Sequence, residues 1–308
     1  QRRSEDPMRN VVITAGTEHH AGIDPVEWLE THEGAEGVWL PVDAHGVVDL
    51  NWLAEYLANS AQRLALISLM WVNNETGLET PIAEVTAIAA KYGIPVHSDA
   101  VAAFGHVPTN FQSSGLATMA ISGHKIGSPV GVGALIVARD AKLAVISHGG
   151  GQERGIRSGT LSAPLAYTLA QAAALAEAER EVLFSRLEKF RRQIVESVMR
   201  VAPDANFTRG SEPGFAGIVH FTFPGCSGDS LLFLLDTAGV SVSTGSACRA
   251  GVAQASHVLR AMGRTEDQAR GSLRISMGYT TTQQDVDAFL EAFPAAYAGA
   301  HKAGLPSK

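Results

Sequence analysis

Ser122-Gly123-His124-Lys125 follows the apolar run Leu116-Ala117-Thr118-Met119-Ala120-Ile121 and precedes a glycine-rich stretch from Gly127 to Gly133. A lysine at the end of a buried strand, facing small residues, gives up its proton more readily than a surface lysine, because desolvation penalises the charged form. Such a lysine is suited to Schiff-base chemistry with a carbonyl compound. An ordinary surface loop has the same composition, so the reading depends on the flanking chain.

On the N-terminal side, 94–98 reads as a strand ending in Asp99-Ala100. The helix before it carries an apolar stripe of Ile82, Val85, Ile88 and Ala89, with Thr80 and Pro81 suited to N-cap and N1 and Gly93 to C′. Leu64–Met70 is a continuous apolar run, as expected for a strand covered on both faces, and it leads into Trp71-Val72-Asn73-Asn74-Glu75-Thr76-Gly77. Earlier still come a helix over 49–58, a strand over 38–42 and a helix over 25–32. A strand over 11–14 ends at Thr17-Glu18-His19-His20. Adjacent histidines on an extended segment point to opposite sides, so one of them faces a given pocket and the pair makes a poor metal site. Residues 1–10 are charged and polar, in keeping with a helix end or a frayed terminus. On the other side of Lys125, Gly133–Val137 is one more strand.

Strands alternating with helices, and polar residues at the strand ends, indicate a doubly wound α/β fold with a mostly parallel sheet. Ligands in such sheets bind beyond the carboxyl ends of the strands. Asn74, Asp99 and Lys125 each follow a different strand, so they can converge on one crevice. The sequence has no G-x-G-x-x-G and no Walker lysine behind its glycine loop, which removes the usual nucleotide-binding readings.

The glycine-rich connection from His148 to Thr160, with Arg154 and Arg157, suits a linker, an anion site or a subunit contact. A long helical pattern over 163–201 leads from a first domain, 1–160, into a smaller α+β domain within 161–308. That domain holds strands at 218–223, 240–243 and 272–277 and a helix at 229–237. A second helix carries His257, Val258, Leu259 and Met262. Thr282 and Asp285 form a capping-box start for a last helix with Val286, Phe289, Leu290 and Phe293 on its apolar face. The tail from Gly299 is expected to be disordered. Cys248 lies among Gly, Ser and Ala beside Arg249, a setting that favours an exposed thiol with thiolate character. Cys226, in a Phe223-Pro224-Gly225 turn, reads as structural.

The chain has 308 residues, 45% hydrophobic and 18% charged, the composition of a soluble globular protein. No apolar run reaches membrane-spanning length. The net charge of −7 argues against a general nucleic-acid binder. Two cysteines make no disulfide framework and lack zinc-site spacing, so a reducing cytoplasm is the expected compartment. The first residue is Gln1, so a preceding segment is expected to be absent.

With these residues in view the chain resembles the cysteine desulfurases of the NifS/IscS-like branch, pyridoxal phosphate (PLP) enzymes of the aspartate-aminotransferase fold group and class V aminotransferase family. The similar stretches run in order: Thr-Glu-His at 17–19, Asn-Asn-Glu at 73–75, His-Ser-Asp-Ala at 97–100, Ser-Gly-His-Lys at 122–125, His-Gly-Gly-Gly-Gln-Glu-Arg at 148–154, Arg-Ser-Gly-Thr at 157–160, Ser-Thr-Gly-Ser-Ala-Cys at 243–248, Ser-His-Val-Leu-Arg-Ala-Met-Gly at 256–263 and Leu-Arg-Ile-Ser-Met-Gly at 273–278. Each is weak alone, and together they are specific. The resemblance implies that Lys125 carries PLP through its amine and that Asp99 pairs with the pyridine nitrogen. It implies that His19 stacks on the ring and assists proton transfer, and that Asn74 bonds the ring hydroxyl. Ser122 and His124 would hold the phosphate, joined by Thr160 from the partner in a homodimer. Arg274 would bind the substrate carboxylate. Cys248 would take sulfur from L-cysteine as a persulfide, releasing L-alanine, and pass it to a sulfur-acceptor or scaffold protein of iron–sulfur assembly or another thiolation acceptor.

The sequence departs from the family pattern at four places. Ala102 stands where a glutamine is usual, Val130 where lysine is frequent, and Tyr279 where a polar or basic residue is common. The family's first large-domain strand and its phosphate turn precede the point where this chain begins. Two other readings stay open: a related PLP lyase or aminotransferase that does not use Cys248, and a catalytically silent fragment that binds partners, the latter motivated by Ala102 and the missing N-terminal turn.

Overall fold

A computed structural model describes residues 5–245 and 255–304. They fall into two units. The first comprises residues up to 41, 49–71 and 80–180; the second comprises 42–48, 72–79 and residues from 181 onward.

The first unit is built on a six-stranded sheet in the order β2-β1-β3-β4-β5-β6. Its strands are β1 (Val11–Ala15), β2 (Glu36–Leu40), β3 (Leu64–Met70), β4 (Val96–Asp99), β5 (Thr118–Ser122) and β6 (Gly133–Val137). The first five run parallel and β6 pairs antiparallel with β5. The expected mostly parallel, doubly wound sheet is therefore present. The order reverses between β1 and β3, the kind of switch point at which such sheets open a crevice. Val11, Ile13, Leu64, Ile67, Leu69, Val96 and Met119 are buried along it. Helices α1 (His20–Glu33), α2 (Leu50–Ser60) and α3 (Ile82–Ala90) connect the strands.

Several local expectations need correction. Helix α1 begins five residues ahead of Pro25, because the His19 ring caps it: Nδ1 accepts the Ala21 N–H at 3.0 Å. His19 and His20 therefore do not share an extended segment. His20 is the first helical residue and bonds Asp24 one turn on, at 2.9 Å. Helix α3 is capped at Pro81 without a side-chain bond, while the Thr80 N–H is taken by the Trp71 carbonyl at 2.8 Å.

Helix α4 (Ala163–Val201) crosses the division between the units. Its C-terminal half buries Leu187, Phe190, Ile194 and Val198 at helical spacing. Each such burial is worth about 1.5–3 kcal/mol. The second unit holds a three-stranded antiparallel sheet of β7 (Asn206–Phe207), β8 (Ile218–Thr222) and β9 (Ser272–Ser276). Its helices are α5 (Gly228–Thr237), α6 (His257–Ala261), α7 (Glu266–Arg270) and α8 (Gln283–Ala303). Phe221, Phe223 and Phe293 form the centre of its core, with ring centroids 5.8 and 5.7 Å apart in sequence.

Residues 240–243 do not form a strand; Ser243 makes a single bridge to Arg274. The tail expected to be disordered from Gly299 is helical as far as Ala303. Gly299 lies inside α8, where a Cβ would stand 3.0 Å from Leu234 on α5, so glycine allows the close approach of the two helices. Cys226 is fully buried, and burial pushes its thiol up to about 11, as suits a structural cysteine.

Candidate active site

In the first unit the polar residues gather at the carboxyl ends of the parallel strands. Asp99 is the last residue of β4, aligned with Met70 of β3. Its backbone carbonyl accepts the Trp71 N–H at 2.9 Å, and its Oδ1 accepts the Val101 N–H at 2.8 Å. One carboxylate oxygen is thus fixed by the backbone, which orients the other. Ser122 ends β5, and a single 3₁₀ turn, Gly123–Lys125, follows. Ser122 Oγ and His124 Nδ1 lie 2.7 Å apart, a hydroxyl and an imidazole side by side where they can bond an anion. Lys125 is exposed. The expectation that it sits desolvated at a buried strand end is corrected: the 3₁₀ turn carries it three residues past the strand. Its place is set from behind by His106, whose Nε2 donates to the Lys125 carbonyl at 3.2 Å. Burial holds the His106 imidazole below its ordinary pKa, against the carbonyl bond, while the Lys125 charge adds to the lowering. His19 is exposed, and with Nδ1 accepting from Ala21 its proton sits on Nε2 in the neutral form.

Glu18 was not singled out by its sequence context. It is buried, and its Oε1 accepts the Met70 N–H at 2.8 Å. Burial pushes its carboxyl up to about 8, the Met70 bond opposes this, and the Asp99 charge adds to it. Through Met70 and Trp71 this side chain joins the turn bearing His19 to the strand end bearing Asp99. His97, one turn of pleat before Asp99, bonds Thr118 Oγ1 at 2.9 Å and is held below its ordinary pKa by burial, with Asp99 pulling the other way. Thr160 is exposed, at the end of a connection whose Glu153 and Arg154 both take positive φ, 48° and 57°.

In the second unit Arg274 lies in β9, and its Nη1 donates to the Asn74 carbonyl at 2.9 Å. Its Nε is buried and has no hydrogen-bond partner among the described residues, and the same holds for Asn74 Oδ1. A buried polar atom without a partner calls for one, and a bound ligand can supply it. Nη1 is occupied, so the edge of the guanidinium bearing Nε remains for a carboxylate. Beside Arg274, His220 is fully buried; its Nδ1 bonds Thr208 Oγ1 at 2.8 Å. Burial first, and the Arg274 charge second, depress its imidazole to about 3. Cys248 lies outside the described residues.

The class-V aminotransferase profile matches residues 3–289. The chain belongs to the class-V aminotransferase family. Within that family it is 48% identical over 305 residues to an IscS-like cysteine desulfurase of Mycobacterium tuberculosis, covering 99% of this chain and 77% of that protein. It is 38% identical to the cysteine desulfurase IscS of Methanosarcina thermophila, over 92% of this chain and 69% of that one. Among solved structures, a NifS-like protein from Rickettsia africae superposes with a TM-score of 0.83 at 30% identity, covering 96% of this chain and 78% of that one.

Class-V aminotransferases of this branch depend on pyridoxal phosphate, and the residues present fit that group. A half-buried carboxylate with one oxygen fixed suits a protonated pyridine nitrogen. An exposed amine at the next strand end suits an aldehyde, and the Ser122–His124 pair suits a phosphate.

Proposed function

We propose that this chain converts L-cysteine to L-alanine and takes the sulfur as a persulfide on Cys248. The observation that carries the reading is the 48% identity to an IscS-like cysteine desulfurase over nearly the whole chain. Lys125, Asp99, Asn74 and Arg274 all stand in the sequence contexts described above.

When bound, pyridoxal phosphate would supply an aldehyde for the substrate amine and an electron-withdrawing ring. Lys125 would hold it through its amine and would move the proton of the substrate's α-carbon. Asp99 would keep the pyridine nitrogen protonated through the carboxylate oxygen not used by Val101. His19 would pack on the ring, and Asn74 would bond the ring hydroxyl. Ser122 and His124 would bond the phosphate. Arg274 takes the substrate carboxylate on its open edge. Cys248, as thiolate, attacks the substrate sulfur: an S–S bond forms, the Cβ–S bond breaks, and its electron pair stays on the carbon side, where protonation gives alanine.

The enzyme is proposed to act as a homodimer in which Thr160 of the partner subunit completes the phosphate site. Ile146, Leu161 and Tyr167 are exposed on either side of Thr160, at 92%, 51% and 66%, and suit cover by a second copy. No helix among the described residues is long and apolar enough to cross a membrane. A cytoplasmic setting is proposed from the sparse cysteines, and the sulfur's destination from the IscS-like resemblance: a scaffold or acceptor protein of iron–sulfur assembly.

The test is alanine formation from cysteine by the PLP-loaded protein. Cys248→Ala abolishes it while the visible absorbance of bound PLP survives. Persistent persulfide formation in Cys248→Ala excludes that nucleophile. A protein unable to take up PLP favours the silent-fragment reading.

A further inference from the structure

Glu75 is a buried acidic residue in the second unit that no step above uses; 2% of its surface is exposed. It sits in a turn made rigid by its own backbone and side chains. Asn73 Oδ1 accepts the N–H groups of Glu75 and Thr76, both at 2.9 Å, and the Asn73 carbonyl accepts the Gly77 N–H at 2.9 Å. Gly77 has φ +74°, and a Cβ there would stand 2.9 Å from Ile218 Cβ, so the turn is pressed against β8. The next residue back, Asn74, gives its carbonyl to Arg274.

The stretch bearing Cys248 leaves the described chain at Gly245 and returns to it at Ala255. Both ends come to Glu75. On the returning side, Ser256 is buried, and its Oγ donates to Glu75 Oε2 at 2.5 Å while accepting the Leu259 N–H at 3.2 Å as the cap of α6. On the leaving side, Gly245 takes φ +82°, and a Cβ there would lie 3.1 Å from His220 Nε2 and 3.4 Å from Glu75 Oε2. Ser243 pairs with Arg274 through both backbone groups, at 3.0 and 2.6 Å, and Ser272 Oγ donates to the Thr244 carbonyl at 2.8 Å. The two chain ends and the guanidinium are thus referenced to one turn and one carboxyl group. A buried carboxyl group is a costly way to stabilise a fold, and an apolar side chain would serve packing as well.

We propose that Glu75 is a positioning residue for sulfur transfer: it bonds the turn that holds Arg274 to the returning end of the stretch bearing Cys248 and packs close to its leaving end. The inference rests on the desulfurase reading for its consequence, and on the geometry of the second unit for its existence. No contact of Glu75 with substrate or cofactor is proposed. Glu75 acts through Ser256 and Gly245 on where the thiol is presented relative to the arginine that holds the substrate carboxylate.

The experiment uses the PLP-loaded protein and the variants Glu75→Ala, Glu75→Gln and Ser256→Ala. The remote cap variant Thr282→Ala controls for loss of stability in the same unit. Three quantities are read: the rate of iodoacetamide alkylation of Cys248, resolved on its peptide; kcat and KM for cysteine; and the visible absorbance of bound PLP. In Glu75→Ala, Cys248 alkylation rises severalfold while kcat falls about ten- to a hundredfold, the scale expected of a misplaced reacting group. The PLP absorbance is unchanged. Ser256→Ala moves both rates in the same directions, Glu75→Gln restores them because its amide oxygen still accepts from Ser256, and Thr282→Ala moves neither. Unchanged alkylation in both Glu75→Ala and Ser256→Ala overturns the proposal, as does an equal response in Thr282→Ala. Should Glu75→Ala fail to fold, Ser256→Ala against Thr282→Ala decides alone. If the wild-type protein does not turn over cysteine, the desulfurase reading fails, and the alkylation rates still report on Glu75.

Discussion

At the scale of single residues, burial fixes two protonation states that oppose each other in pH. Glu18 keeps its proton up to about pH 8 in the fold, against a reference value of 4.5. Between those values the unfolded chain has lost the proton and the folded chain has not, so folding takes up a proton and stability falls as pH rises. The slope is at most ~1.4 kcal/mol per pH unit. Glu18→Gln removes the titration and keeps an acceptor for the Met70 N–H. Urea denaturation at pH 5 and pH 7 is therefore expected to show wild type losing stability relative to Glu18→Gln as pH rises; parallel behaviour would mean Glu18 is ionised in the fold. His220 has the opposite sign. Its imidazole is depressed to about 3 from 6.5, so its contribution is present above pH 6.5 and lost as the pH falls toward 3. His220→Asn is expected to flatten the acid limb of the stability curve over that window, measured by the same denaturation series. Neither group was legible in the sequence. Glu18 appears there as a motif letter beside His19, and His220 as a polar residue in a strand. Their protonation depends on what strands far along the chain, β3, β4 and β9, bring beside them.

At the scale of elements, the sequence carried what local chemistry decides. Leu64–Met70, Gly133–Val137 and Ala163–Val201 have the bounds their apolar patterns indicate, and the capping box of Thr282 and Asp285 starts α8. What it missed was set by tertiary contact. The tail from Gly299 read as disordered, yet Gly299 lies inside α8 close against Leu234 of α5. Residues 240–243 alternate like a strand but find a single bridge, at Ser243. The position of Lys125 was legible and its environment was not, since the 3₁₀ turn that exposes it leaves no signal in hydrophobic pattern. Two substitutions test these elements. Thr282→Ala deletes the cap of α8 and is expected to cost about 1 kcal/mol in thermal unfolding, with no change in PLP uptake. Gly77→Ala combines an unfavourable φ of +74° with a Cβ 2.9 Å from Ile218 Cβ. It is expected to cost about 1–3 kcal/mol, and a neutral result would mean the turn at 73–77 is free to shift.

At the scale of the whole molecule, the proposed assembly makes a claim that a single chain cannot answer. Thr160 ends the glycine-rich connection on the surface of its own chain, with apolar neighbours exposed beside it. If it serves the phosphate of the same chain, a Thr160→Val subunit is impaired whatever it is mixed with. If it serves the other subunit of a two-fold dimer, the defect can be supplied in trans. A Lys125→Ala subunit has no amine to hold the cofactor but keeps its threonine. A Thr160→Val subunit keeps its lysine but lacks the threonine it lends. In a heterodimer of the two, the site built on the intact Lys125 receives an intact Thr160, and the other site lacks both. Random reassociation of an equal mixture makes half the dimers mixed, each with one complete site, so activity is expected to recover to about a quarter of wild type. Co-refolding the two variants with distinct affinity tags and measuring alanine formation before and after isolating the doubly tagged species reads this directly. Activity concentrated in the doubly tagged fraction establishes Thr160 as a residue shared between subunits. A doubly tagged fraction no more active than the Thr160→Val homodimer returns that threonine to its own chain.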